Sequence, residues 1–96
     1  MTINDLLESK RDSILQIAAR YGASNVRIFG SAARGEAGPE SDIDLLVELA
    51  PDRSLLDHIA LMQDLEDLLG YKVDVVTEQG LREIVRERII DEAIPL

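Results

Sequence analysis

The 96 residues predict an α/β (α+β) domain: a small mixed β-sheet of about three strands with helices packed on it. Three observations carry this. Apolar residues recur at three- and four-residue steps in several separate blocks, the period of a helix. Short β-prone runs lie between those blocks. Glycine or proline punctuates nearly every junction, so the elements alternate along the chain.

The first block spans residues 3–21. Ile3, Leu6, Leu7, Ile14, Ile17, Ala18 and Tyr21 mark one helical stripe, with Lys10 filling one of its turns. Thr2 followed by Asp5 is a start signal, and Gly22 a stop. Residues 25–29, NVRIF, read as a strand ending at Gly30. Residues 31–34 suit one or two helical turns, and residues 36–40 a loop. A second strand is predicted over 42–49, closed by Pro51. Ser54 with Asp57 opens a helix over 55–69, with Leu55, Ile59, Met62, Leu65 and Leu69 as its stripe and Gly70 as its end. Residues 72–77 read as a third strand, and residues 81–92 as a last helix on Leu81, Ile84, Val85 and Ile89, ended by Pro95. The connection between the first two strands suits a hairpin or a crossover equally, so strand order stays open.

Composition narrows the function. The chain is 46% hydrophobic and 30% charged, the balance of a soluble single domain over residues 1–96. So small a domain gains from a partner, and a homo- or hetero-oligomer is open. A net charge of -9 disfavours general nucleic-acid binding, because phosphate backbones are repelled. The absence of cysteine excludes disulfides, thiolate metal sites and a Cys nucleophile, and one histidine excludes a His-rich metal site. Residues 1–10 lack a basic start and a long apolar run, so no signal peptide is expected there. No stretch approaches the ~18 apolar residues of a membrane span. A cytoplasmic protein is the expectation.

Three aspartates stand inside predicted strands, where Asp is depleted. Asp42 and Asp44 alternate with Ile43 and Leu45 and therefore share a face. Asp74 lies between Val73 and Val75 on the third strand. Taken singly, Asp42 reads as a strand-end residue after Ser41 and Asp74 as a solvated edge residue. Taken together, neighbouring strands would bring all three carboxylates to one face. Two unit charges ~4 Å apart at an effective dielectric of ~20 repel by roughly 4 kcal/mol. Protonation, a basic side chain or a divalent cation must offset that, and Mg²⁺, a hard ion shared between carboxylates and phosphates, suits it. Gly30-Ser31 supplies a complementary half. Gly30 permits a sharp turn and close ligand approach. Amides at a helix start favour an anion, and the Ser31 hydroxyl adds a donor. Arg34 could face phosphate, a carboxylate or solvent.

Residues 30–47, GSAARGEAGPESDIDLLV, resemble the signature of the nucleotidyltransferase superfamily: Gly-Ser, a spacer of about ten residues, then Asp-x-Asp. The wording of that stretch, the short chain and the later VDVV are similar to the minimal nucleotidyltransferase branch. The resemblance implies the nucleotidyltransferase fold. Asp42 and Asp44 would bind one or two Mg²⁺, and Gly30 and Ser31 would hold the β- and γ-phosphates of ATP. Asp74 would serve as general base or second-metal ligand, and Arg34 would steer phosphate. The implied reaction is attack on the α-phosphate with loss of pyrophosphate. The implied acceptor is a tyrosine of a HEPN-domain toxin, which makes the chain the AMPylating antitoxin of a type VII toxin–antitoxin pair.

Two other functions compete. A non-catalytic antitoxin would neutralise its partner by complex formation, using the apolar helix over 55–69 and the apolar tail over 89–96. Transfer to a small molecule would need a wall around the acceptor that these residues do not supply. His58 reads as a surface or packing residue, and Arg82, Glu83, Arg86, Glu87 and Arg88 as a solvated helix face.

Overall fold

A computed structural model of the chain describes residues 2–38 and 40–96. The loop expectation at Pro39 and the N-terminal reading at Met1 fall outside those residues. The elements, in order, are α1 (Ile3–Ser9), α2 (Arg11–Arg20), β1 (Ala23–Phe29), β2 (Ile43–Leu49), α3 (Leu55–Leu69), β3 (Val73–Thr77), α4 (Glu83–Glu92) and β4 (Ile94–Pro95).

The single N-terminal helix expected over 3–21 is two helices. They part at Lys10, whose backbone (φ -103, ψ 9) leaves the helical region. Lys10 stands where the buried stripe would continue, and an exposed ammonium cannot fill a core position. The Ser9 hydroxyl also bonds back to the Leu6 carbonyl at 3.0 Å, competing locally with the helix ladder. The reciprocal Thr2–Asp5 capping box forms as expected.

Among the described residues the sheet has four strands in the order β3-β2-β1-β4, one more than expected. β1 and β2 are antiparallel, β2 and β3 parallel, and β4 pairs antiparallel with β1. The open choice between hairpin and crossover is thereby resolved as antiparallel. A bulge interrupts β1 between Ser24 and Arg27, where Asn25 takes φ 49. Asparagine tolerates this left-handed conformation, and the extra residue resets the alternation of faces. Ala23, Val26 and Ile28 consequently all enter the main core.

That core lies between one sheet face and helices α1–α3. Ile43, Leu45, Val47, Val73 and Val75 meet Leu7, Ile14, Ala18, Leu61, Leu65 and Leu69. The opposite face buries Leu46 and Arg27, and the Arg27 guanidinium pairs with Glu78 at 2.7 Å. The core stripe of α3 runs through Leu61, Leu65 and Leu69. Its expected first members turn outward, with Leu55 71% and Ile59 38% exposed, and Leu56 beside them is exposed too. α4 buries none of its described residues, and Ile84 is 86% exposed rather than part of a core stripe. The tail does dock on the chain itself: β4 adds to β1, and Leu96 packs against the core. Among the described residues, no helix is long and apolar enough to cross a membrane.

Candidate active site

One end of the sheet gathers the predicted residues. β1 runs into it and β2 and β3 run out of it, so Phe29 faces Asp44 across one ladder and Asp44 faces Asp74 across the next. Asp42 stands just before β2, two residues from Asp44, and its charge acts on the Asp44 carboxyl. The condition set for the three carboxylates to share a face, that their strands be neighbours, holds for β2 and β3. Asp44 is half-buried, whereas Asp42 and Asp74 are exposed.

Electrostatics concentrates on Asp44. Burial raises its carboxyl above the ordinary value, and the charges of Asp74 and Asp42 push it further in the same direction. Arg34 opposes that shift, and Glu92 adds to it. Among the described residues, no three His, Asp or Glu side chains are disposed to enclose a metal ion by themselves. The oxygen-only donor set nevertheless suits a hard cation that completes its shell with water and phosphate oxygens.

Gly30 closes β1 with φ 72, a conformation that favours glycine. A Cβ there would collide with the Asp44 carboxylate, so glycine is also what lets the turn lie against that side chain. The short helix expected over 31–34 is instead a run of turns. Arg34, Gly35 and Glu36 donate their amides to the carbonyls of Gly30 (3.2 Å), Ala32 (3.2 Å) and Ser31 (2.8 Å). The amides of Ser31, Ala32 and Ala33 take no part in these bonds. Two glycines with positive φ, Gly30 and Gly35, bracket the segment, which is why it turns without propagating a helix.

Arg34 faces carboxylates, one of the three environments open to it. Its Nε lies 3.0 Å from Glu36 and its Nη1 2.6 Å from Glu92. Glu92 was not among the expected site residues. It is 58 positions from Arg34 in the chain, and only the return of β4 onto β1 brings it there. His58 fills a packing role, its Nε2 donating to the Val75 carbonyl at 2.6 Å. A cavity of about 480 Å³ at the opposite end of the sheet, between residues 47–51 and 77–79, contains none of the expected site residues.

Comparison with known proteins gives this geometry its relatives. The sequence profile of the nucleotidyltransferase domain matches residues 11–96. A Methanocaldococcus jannaschii protein, provisionally named a protein adenylyltransferase, is 39% identical over 94 residues, 98% of this chain and 97% of its own. The protein adenylyltransferase MntA of Thermococcus cleftensis is 37% identical over 79 residues, 82% of this chain and 80% of its own. A solved chain provisionally described as a minimal nucleotidyltransferase superposes with a TM-score of 0.90 at 50% identity, over 100% of this chain and 97% of that one. A toxin–antitoxin structure with AMP-PNP superposes with a TM-score of 0.76 over 88% of this chain and 69% of that one. At 21% identity, that last likeness concerns the fold alone.

Proposed function

The chain belongs to the nucleotidyltransferase domain family, and from that premise we propose that it transfers AMP from ATP to a tyrosine hydroxyl of a HEPN toxin. It thereby acts as the antitoxin of a type VII pair. The observation that carries this reading is the placement of Asp44 opposite Asp74 on adjacent strands, with the Gly30 turn against Asp44.

Each residue then has a task. Asp42 and Asp44 hold Mg²⁺, which when bound neutralises the triphosphate and polarises the α-phosphate. The turn at Gly30 lets phosphate oxygens approach the backbone closely, and the Ser31 hydroxyl donates to them. Asp74, exposed and opposite Asp44, takes the proton from the attacking hydroxyl. The acceptor oxygen bonds to the α-phosphorus as the bond to pyrophosphate breaks. The mutual repulsion of the carboxylates favours this use, because a bound cation offsets it.

The test is incubation of the chain with labelled ATP, Mg²⁺ and the protein encoded beside it. Label appears in a tyrosine of that partner and disappears with Asp44→Asn. An unlabelled partner, or unchanged labelling by Asp44→Asn, overturns the reading.

Neutralisation by complex formation is the second reading. Exposed Leu55 and Leu56 on α3 and Ile84 on α4 favour it. Full neutralisation by the Asp42→Asn, Asp44→Asn double variant would establish it over transfer.

A further inference from the structure

Glu92 occupies an unusual place. It is the last residue of α4, and after Ala93 the chain forms β4, which pairs with Arg27 and Ile28 of β1. Ile28 is two residues before Gly30. The short strand therefore pins the Glu92 backbone beside the turn that carries Ser31 and Arg34. Its side chain is 24% exposed, against 65% for Glu36, the other carboxylate on Arg34. It reaches Arg34 at 2.6 Å and also acts on the Asp44 carboxyl. No residue of α4 is fully buried, and Glu92 is one of three half-covered positions with Arg86 and Ile89, so this contact is one of few that hold its end to the body.

We infer that Glu92 is a latch on Arg34: it occupies the guanidinium until the triphosphate displaces it, and so sets nucleotide affinity and the freedom of the end of α4. The inference rests on the nucleotide-binding reading above. It follows from competition for one cation. Arg34 alone, among the charged groups acting on Asp44, counters the negative charge there. A guanidinium matches phosphate oxygens in a two-point geometry as well as it matches a carboxylate, and a triphosphate carries more charge than one glutamate. The nucleotide therefore takes Arg34, and Glu92, now uncompensated beside phosphate and Asp44, is repelled. Glu92 is a positioning residue. It touches Arg34 and need not touch the reacting atoms.

Equilibrium binding of ATP with Mg²⁺ to the full chain and to Glu92→Gln, Arg34→Ala and the double variant tests this, alongside amide hydrogen exchange with and without nucleotide. Glu92→Gln binds about fivefold tighter, the scale of one partly exposed ion pair. In the Arg34→Ala background most of that gain is lost. Amides of residues 89–93 exchange faster in wild type once nucleotide is bound, and are already fast in Glu92→Gln. Unchanged or weaker binding by Glu92→Gln, or a gain that persists without Arg34, overturns the latch while leaving the transferase reading intact. Should Glu92→Gln fail to fold, Glu92→Asp, one methylene shorter, gives a smaller gain in the same direction, and no gain overturns the latch. A wild-type chain that binds no nucleotide overturns both.

Discussion

Asp44 is where the architecture tolerates an unfavourable charge. Its carboxyl is raised, so between the ordinary value and the raised one the folded chain keeps a proton that the unfolded chain has released. Stability therefore falls as pH rises through that window and remains lowered above it. Asp44→Asn is expected to melt at a higher temperature than wild type at pH 7. The difference closes as pH drops below the ordinary carboxylate value, and melting curves across pH read both effects. Mg²⁺ with ATP should raise the melting temperature of wild type but not of Asp44→Asn. Gly30→Ala combines a left-handed backbone, which costs a non-glycine residue about 1–2 kcal/mol, with displacement of the Asp44 carboxylate. Denaturant unfolding should show that loss, and labelling of the partner should fall with it. The sequence shows the aspartates and Gly30 because each breaks a local rule: acids inside strands, a glycine at a strand end. It hides Glu92, which breaks none and is an ordinary glutamate until the fold carries it back.

The helices and strands were legible wherever one period ran uninterrupted. α3 has the bounds expected of it, because Asp57 accepts from the Ser54 amide at 3.0 Å and Gly70 ends the helix with φ 73. Asp57→Ala should cost about 1 kcal/mol, measured by denaturant titration. β1 was legible only from Asn25 onward, because the bulge there puts Ala23 and Val26 on one face and destroys a simple alternation. The break at Lys10 and the two-residue β4 were not legible, since neither has a local signal strong enough to outweigh a continuing helix. Leu65 and Leu69 enter the core as expected, but which face the first turns of α3 present to it was not legible. The helix is apolar around much of its surface, and the position of β3 decides which leucines are covered. That same pairing of α3 with β3 has a chemical side. Glu66 accepts from the Val73 amide at 3.0 Å and His58 donates to the Val75 carbonyl, on the strand's unpaired side. The His58→Ala, Glu66→Ala double variant should aggregate faster on mild heating, read by light scattering, as those backbone groups become free.

The molecule as a whole is lopsided. One sheet face is sealed by three helices, while the other carries Arg27, Leu46 and the loosely held α4. Leu45→Ala, at a fully buried position on the sealed face, should cost about 3 kcal/mol. Ile84→Asp, on the outer surface of α4, should stay within about 0.5 kcal/mol of wild type. Equal costs in denaturant would show that α4 is packed far more firmly than its exposure indicates. Both rims of the sheet are finished, each by a different device. Side chains of α3 occupy two outward groups of β3, the Val73 amide and the Val75 carbonyl, and a two-residue strip containing Pro95 lies on the β1 side. Copies of this chain thus find a poorer template on which to stack strand upon strand. Fibre-like growth is discouraged at both margins, and recognition of another protein is left to helical surfaces.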